Sequence, residues 1–347
     1  MSRIRIGSFN VKNLSNGNGR NLTKIARMIN HYGLDIVALQ EVLGEGRVIH
    51  SALTGELKGE AKGNNDILMR HLLGKWESSW LQPEVRGKNL KYLGKDQRGE
   101  GYALLWRSSK FEVPKSYEEK GTLRDQGPKI YSNYHAAQDG LRLVRDPLYA
   151  RLILKEKRVV ELRILITHLI YGKPSVSQES EFTLDDGAIA LRKKEFHTLA
   201  GKIYQSISKN NMVWECTVPY TLLLGDYNLN LKTSGAAGAY VPANDYEQGL
   251  AVAYYDGNGH LVDPGNSQKI KIYTAQSDLS TLKQQDPGYA NNYDHFSFDD
   301  RVKRQISDLN GVRALHEFVG KTGDCAAFDT YRTKVSDHVP IIIELNL

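Results

Sequence analysis

The sequence predicts an α/β fold, and three observations carry that expectation. Several uninterrupted apolar runs have strand length and stop at glycine or a polar residue, as internal strands of a covered sheet do. The first about 40 residues read strand, helix, strand, a βαβ-like unit. Farther on, Gly187 to Ser208 repeats apolar residues at helical spacing. No period of roughly 20–50 residues recurs, which excludes a solenoid.

In chain order, Ile4, Ile6 and Ser8 alternate with Arg3, Arg5 and Gly7, and Phe9 and Asn10 follow, a strand that closes on a carboxamide. After a polar, glycine-rich loop over 13–20, Asn21 is placed to cap a helix with the apolar face Leu22, Ile25, Met28, Ile29 and Tyr32. Gly33 stands where a C-terminal glycine stop belongs. The second strand, 35–41, ends in Gln40 and Glu41, and a second helix is expected over 66–73. Residues 86–98 are basic and glycine-bearing, with Tyr92 among Lys88, Lys91, Lys95 and Arg98, and Glu100 enters a strand over 101–107. Residues 121–127 read as a turn. Arg142 and Arg145 precede a hairpin of 148–154 and 159–169, joined through Glu156, Lys157 and Arg158, whose second arm ends at His168.

Residues 171–186 are a polar insertion. The helix over 187–208 carries the stripe Ile189, Phe196, Leu199, Ala200, Ile203 and Ile207. Leu222–Leu223–Leu224 is a buried strand that stops at Gly225 and presents Asp226 and Asn228, which period-two alternation puts on one face. A long excursion fills 229–268, of a size that is usually functional or carries small elements of its own. A strand over 291–298 carries Asp294, and Asp337 and His338 stand just before the last strand.

Composition narrows the partners. The 347 residues carry a net charge of +6 and a pI near 9.0, a modest excess that suits an anionic partner. Cys216 and Cys325 are too few for a disulfide framework and read as free thiols of a reducing compartment, with a single bridge between them as the alternative. The chain enters strand-like alternation at its first residues, leaving no room for a signal peptide, and no apolar run is long enough to span a membrane. A cytoplasmic monomer is the expectation.

Polar residues collect at strand ends. Asn10, Glu41, Glu100, His168, Asp226, Asn228, Asp294, Asp337 and His338 each start or finish an apolar strand. One acid there is an ordinary turn former or cap, and one histidine an ordinary rim residue. Five carboxylates with two histidines and two amides exceed what turn chemistry asks for, and strand ends are where a rigid scaffold presents reacting groups. Carboxylate and amide oxygens suit Mg²⁺, Mn²⁺ or Ca²⁺ rather than Zn²⁺, and neither Cys-x-x-Cys nor His-Glu-x-x-His occurs.

With Ser8-Phe9-Asn10-Val11, Leu39-Gln40-Glu41-Val42, Thr167-His168-Leu169, Gly225-Asp226-Tyr227-Asn228, Tyr293-Asp294-His295 and Ser336-Asp337-His338-Val339-Pro340 in this order, the chain resembles the endonuclease/exonuclease/phosphatase superfamily, the DNase I-like fold. The resemblance spans residues 8 to 340. It implies one domain over 1–347, with insertions near 171–186 and 229–268, built as a four-layer α/β sandwich of two packed mixed β-sheets flanked by helices. It also implies a Mg²⁺ ion, with Mn²⁺ able to substitute, held by Glu41 with Asn10 and Asp337. Asp226 and Asn228 would position the attacking water and a phosphate oxygen. His168 and His338 would flank the phosphate as acid and base, with the assignment between them open. Glu100 behind His168 and Asp294 behind His338 would fix each imidazole and raise its pKa. Arg98, Arg142 and Arg145 would contact substrate phosphates.

Departures narrow the branch. Abasic-site endonucleases of the superfamily carry an aspartate where this chain has Lys12, and inositol-polyphosphate phosphatases carry a different pattern around the later aspartate than Asn292-Tyr293-Asp294-His295. The DNase I-like nucleases are closest. The expected activity is metal-dependent hydrolysis of nucleic acid, above all as a DNA endonuclease. The alternatives are a phosphatase or phospholipid phosphodiesterase of the same superfamily, and a catalytically inactive nucleic-acid or protein-binding module.

Overall fold

The computed structural model describes residues 2–15, 20–43, 53, 75–86, 92–95, 99–119, 122–132, 143–169, 187–209, 218–229, 250–255, 261–262, 270–274, 278–306, 312–321 and 323–347. The helix expected over 66–73, the insertion at 171–186, most of the excursion at 229–268, Lys88, Lys91, Arg98, Arg142 and Cys216 lie outside them.

In chain order the strands are β1 (Arg3–Leu14), β2 (Ile36–Val42), β3 (Trp76–Leu81), β4 (Glu84–Arg86), β5 (Tyr92–Lys95), β6 (Gly101–Arg107), β7 (Phe111–Glu112), β8 (Tyr117–Glu119), β9 (Thr122–Arg124) and β10 (Lys129–Ile130). They continue with β11 (Leu148–Leu154), β12 (Val160–His168), β13 (Val218–Asp226), β14 (Leu250–Tyr255), β15 (Leu261–Val262), β16 (Ile270–Thr274), β17 (Asp294–Phe298), β18 (Val312–Ala314) and β19 (Ile341–Asn346). The helices are α1 (Leu22–His31), α2 (Gly187–Thr198), α3 (Gln205–Lys209), α4 (Asp300–Lys303) and α5 (Cys325–Lys334), with a π-helical turn over Leu199–Tyr204 joining α2 to α3.

Two mixed sheets form the body. The first runs β18-β19-β1-β2-β6-β3, and the second runs β10-β11-β12-β13-β17-β16-β14-β15 with β7 added beside β11. In the first, β1 pairs parallel with β2 and antiparallel with β19; in the second, β12 pairs parallel with β13, and β13 antiparallel with β17. Alternation then sorts each strand between layers. Gly7, Phe9 and Val37 line a small apolar gap with Met28 and Ile29, so the odd positions of β1 and β2 face α1. Ile4 and Ile6 turn the other way, into a core shared with Leu162, Ile164, Ile166, Leu222, Leu224, Phe296 and Phe298 of the second sheet. Leu165, Leu223 and Tyr149 face outward instead and pack with Phe196, Leu199, Ile203 and Ile207 of the α2–α3 helix. The order is therefore helix, sheet, sheet, helix. Each fully buried Leu, Ile or Phe contributes roughly 1.5–3 kcal/mol by leaving water.

The helix signals act as the sequence suggests. The Asn21 side chain accepts the Lys24 N–H, and Gly33 adopts φ +59°, a left-handed stop open to glycine. Two readings change. Residues 122–124, expected within a turn, pair antiparallel with β8 as the second arm of a small hairpin, whose arms are too short and polar for periodicity to reveal. The helix expected over 187–208 widens into the π turn at its centre, yet the expected stripe Phe196, Leu199, Ala200, Ile203 and Ile207 stays buried, joined by Tyr204. On the outward face of β12, Glu161 is fully buried between Arg151 and Arg163, each at 2.7 Å. Burial alone would raise its carboxyl, but the two guanidiniums outweigh that and bring it to about 2.

Candidate active site

The inner face of the second sheet ends in a row of polar groups. Alternation continues Leu162, Ile164 and Ile166 to His168, and Leu222 and Leu224 to Asp226, while β17 begins its inner row with Asp294. Register places these three side by side: His168 opposite Asp226, and Asp226 opposite Asp294. The close approach is possible because Gly225 takes φ +139° and presents no side chain; a Cβ there would lie 1.9 Å from the Thr167 carbonyl oxygen.

The first sheet meets this row from the opposite side. Asn10 continues the inner row of β1. Strict alternation from Val37 would send Glu41 outward toward α1. Instead the register of β2 shifts on both flanks, against β1 and against β6, and Glu41 adopts φ +58°. The bulge turns its carboxylate inward, where Asn10 Nδ2 donates to Glu41 Oε1 at 2.9 Å and to Asp226 Oδ2 at 2.9 Å. The Asn13 N–H adds a bond to Glu41 Oε2 at 3.1 Å. One carboxamide thus bridges two carboxylates that come from different sheets.

The two histidines stand in opposite electrostatic settings. His338 Nδ1 lies 2.8 Å from Asp294 Oδ2, and its Nε2 lies 3.7 Å from Asp226 Oδ2. Burial works against its charge, but the two carboxylates outweigh burial and hold the imidazolium well above the ordinary range. Ser336 fixes the turn beneath it, accepting the His338 N–H at 3.2 Å and donating to the Asn10 carbonyl at 2.7 Å. His168 differs. Its Nδ1 faces an Arg145 guanidinium nitrogen at 3.4 Å, while Glu100 Oε2 lies 4.0 Å away and is ion-paired with Arg145 at 2.8 Å. A guanidinium only donates, so Nδ1 is the acceptor and the ring proton sits on Nε2. Burial, and then Arg145, bring His168 down to about 3, so it is neutral at pH 7. A carboxylate raising both imidazoles was the expectation; it holds for Asp294 and His338, whereas Arg145 intervenes between Glu100 and His168. His168 Nε2 points between Glu41 Oε1 at 3.7 Å and Asp226 Oδ2 at 3.8 Å. Asp226 itself is raised, chiefly by burial, against the pull of His338 and the N–H groups of Asn10 and Asn228.

Other expected site residues are placed differently from their sequence readings. Asn228 does not share a face with Asp226: the strand stops at Asp226, and Asn228 takes φ +49°. Its backbone N–H donates to Asp226 Oδ1 at 2.8 Å and its carboxamide to the Leu169 carbonyl at 2.7 Å, so it braces the Asp226 carboxylate and the end of β12. The Asn10 oxygen accepts the Lys12 N–H at 2.9 Å, and Asp337 is ion-paired with the Lys12 ammonium. Arg145 is buried behind His168 and does not face solvent. Arg98 and Arg142 lie outside the described residues. Sequence reasoning did not reach Ser336, Lys12 or the Arg145–Glu100 pair as parts of the site. Ser336 and Lys12 do sit inside or beside the quoted motifs, which is the signal that points to them.

Among the described residues two groups of side chains could hold a metal ion: Glu41, His168 and Asp226, and Asp226, Asp294 and His338, each with ligand atoms within 4.8 Å of one another. The second already contains the His338 imidazolium, which repels a cation. In the first, two carboxylates stand beside a neutral imidazole whose Nε2 carries its proton, so the carboxylate oxygens are the donors that suit a hard divalent ion.

A two-sheet α/β sandwich with an acid–histidine cluster across the sheet ends defines a class of phosphoester hydrolases. The model of the Endonuclease/Exonuclease/phosphatase family matches residues 7–246, and the chain belongs to that family. Its members hydrolyse phosphoester bonds, typically with a metal ion, and the chain is accordingly a phosphoester hydrolase. An endonuclease/exonuclease/phosphatase family protein from Leptotrichia buccalis C-1013-b shares the fold, with 14% identity, a TM-score of 0.51 and coverage of 99% of this chain and 100% of that one. D. rerio TDP2 complexed with single strand DNA product is similar at 15% identity and a TM-score of 0.45, covering 100% of both chains. ANGEL2, a 2',3'-cyclic phosphatase, in complex with adenosine-2',3'-vanadate, is similar at 14% identity and a TM-score of 0.48, covering 99% of this chain and 96% of that one. No curated protein matches the sequence.

Proposed function

We propose that the chain is a divalent-metal-dependent phosphodiesterase that cuts nucleic acid, acting on DNA as an endonuclease. The observation that carries this reading is the setting of Asp226 between a neutral His168 and a charged His338. Those three groups divide the work of phosphoester hydrolysis. Asp226, raised by burial and held by Asn10 and Asn228, orients the attacking water and accepts its proton. His338, kept charged by Asp294, donates its Nε2 proton to the departing oxygen. His168 donates its Nε2–H to a non-bridging phosphoryl oxygen and, being neutral, keeps that role as pH changes around 7. Glu41 would hold the ion, Mg²⁺ with Mn²⁺ as its substitute, and the ion would supply charge neutralisation at the phosphoryl group.

The preference for a polyanionic substrate is supported by the net charge of +6 and the pI near 9.0. Supercoiled plasmid incubated with Mg²⁺, Mn²⁺ or EDTA, beside the His338→Ala variant, tests the reading. The expected result is metal-dependent nicking that the variant lacks. Intact plasmid, single strands and RNA in every lane, with hydrolysis of a phosphomonoester or phospholipid instead, would move the substrate to the phosphatase or phospholipid branch.

A further inference from the structure

A cleft of about 420 Å³ opens on the outer surface of α1, lined by Asn21, Thr23, Lys24, Arg27 and Phe318. None of these residues belongs to the acid–histidine cluster. Helical spacing builds the charged wall. α1 buries Ile25, Ala26, Met28 and Ile29, and it turns Lys24, Arg27 and His31, three and four residues apart, outward along one line. The three positions span about 10 Å of the helix axis. The Lys24 ammonium lies over the Tyr331 ring, 5.5 Å from its centre. Phe318 supplies the opposite wall. It is half-buried, and its ring meets Tyr32 at 5.5 Å and His31 at 5.7 Å, tilted by 55° and 65°, so neither ring lies flat on it. Among the described residues the lining holds two cations, an amide, a hydroxyl and an aromatic ring, and no carboxylate. Glu317, next to Phe318, is ion-paired with Arg313 at 3.0 Å. The cleft is also joined to the catalytic end of the molecule. Arg20, just ahead of α1, donates to the Lys12 carbonyl at 3.0 Å and to the Arg332 and Thr333 carbonyls at 2.9 Å. The Asn21 N–H then donates to the Lys334 carbonyl at 2.7 Å, which seats the start of α1 on the end of α5. Lys12, whose ammonium reaches Asp337, Arg20, Lys24 and Arg27 therefore form a basic stripe that leaves the rim of the site and ends in the cleft.

We propose that this cleft takes a single-stranded stretch of polynucleotide beyond the scissile phosphate, with Lys24 and Arg27 on its phosphates and one base stacked on Phe318. The argument is one of complementarity. Cations repeated along one helix face match a run of phosphates, and an aromatic wall beside them matches the face of an unpaired base. A duplex keeps its base faces stacked on one another and would leave the ring unused, as would an acidic protein segment. The cleft thereby decides affinity for long strands and takes no part in the chemical step. The inference rests on the reading of the chain as a nuclease.

The test separates the two claims. Fluorescence anisotropy of a labelled single-stranded oligodeoxynucleotide of about sixteen residues, in EDTA and over a series of salt concentrations, reads binding without cleavage. The proteins are the wild type, the Lys24→Ala/Arg27→Ala double variant and Phe318→Leu, which keeps apolar packing on Tyr32 and removes the aromatic face. Circular dichroism confirms that each folds. The double variant should lower the slope of log affinity against log salt by about 1.4, two phosphate contacts of a single strand. Phe318→Leu should weaken binding about fivefold or more and leave the slope as it is. Both variants should hydrolyse bis(p-nitrophenyl) phosphate, a diester too small to extend from the site into the cleft, at the wild-type kcat/KM. An unchanged slope in the double variant, unchanged affinity in Phe318→Leu, or an equal loss on the small diester would overturn the inference and leave the nuclease reading standing. Displacement of the labelled strand by poly-glutamate as readily as by unlabelled DNA would mark the cleft as a site for acidic protein segments and overturn it as well. A wild type that neither binds the oligonucleotide nor nicks plasmid would overturn the nuclease reading, and the inference with it.

Discussion

At the scale of single residues, the division between the two histidines is set by what stands behind each ring. Asp294 lies 2.8 Å behind His338, and Arg145 lies 3.4 Å behind His168. A carboxylate stabilises an imidazolium, and a guanidinium excludes one. The pH profile follows from the sign of each shift. Asp226 is raised, so the acidic limb, where it must lose its proton to serve as base, lies above the ordinary aspartate range. His338 is raised, so the basic limb, where it loses the proton it must donate, lies above the ordinary histidine range. Asp294→Asn removes one charge that holds the proton on His338, and the basic limb should move down by roughly 1–3 pH units while the acidic limb moves far less. A pH–rate profile of the variant checks this, and an unmoved basic limb would rule out His338 as the acid. The chemistry of this pair was half legible in the sequence. His338 stands beside a strand end in a motif with Asp337, and the order of motifs brings Asp294 to it. Nothing in the spacing of Glu100, Arg145 and His168 says that the arginine enters between acid and imidazole, because that depends on where the segment before β11 crosses the end of β12.

The elements bring these residues together through departures from regular strand geometry. Apolar runs made β2, β6, β12 and β13 visible at once, since strands covered on both faces carry little polar sequence. The bulge at Glu41 was not visible, because Leu39-Gln40-Glu41-Val42 contains no glycine to announce a left-handed residue. The same reason hid the turn of Asn228 away from the face of Asp226. Gly225 was visible, and the structure shows why it is required: φ +139°, and backbone of β12 in the place of a Cβ. No rotamer change relieves a contact with a main-chain oxygen. Gly225→Ala should therefore force β12 and β13 apart at the row that carries His168 and Asp226, with a loss of stability of more than about 3 kcal/mol. Chemical denaturation measures it, and a variant within about 1 kcal/mol of the wild type would mean that this strand pair tolerates a looser register.

For the whole molecule, the consequence is that the site exists only where the two sheets meet. Glu41 and Asn10 arrive on the first sheet, and His168, Asp226 and Asp294 on the second. The apolar core between the sheets holds the layers together along most of their length, and at this end the contact is carboxylate against carboxylate with the Asn10 amide between them. Two carboxylates so placed repel each other, and a divalent ion held by Glu41 beside Asp226, as proposed, would turn that repulsion into attraction across the interface. Ion binding should therefore stabilise the fold as well as the reaction. At a Mg²⁺ concentration one hundred times its dissociation constant, linkage gives about 2.7 kcal/mol. For a chain of this length that corresponds to a rise of about 4 °C in the unfolding midpoint. Differential scanning calorimetry with and without Mg²⁺ reads the shift directly. Glu41→Gln removes one of the two carboxylates, so it should unfold at nearly the same temperature with and without the ion, and its midpoint without the ion should not fall, since the repulsion goes with the charge. A Mg²⁺-dependent rise that survives in Glu41→Gln would show that the ion sits elsewhere and that the meeting of the sheets is not where it is held.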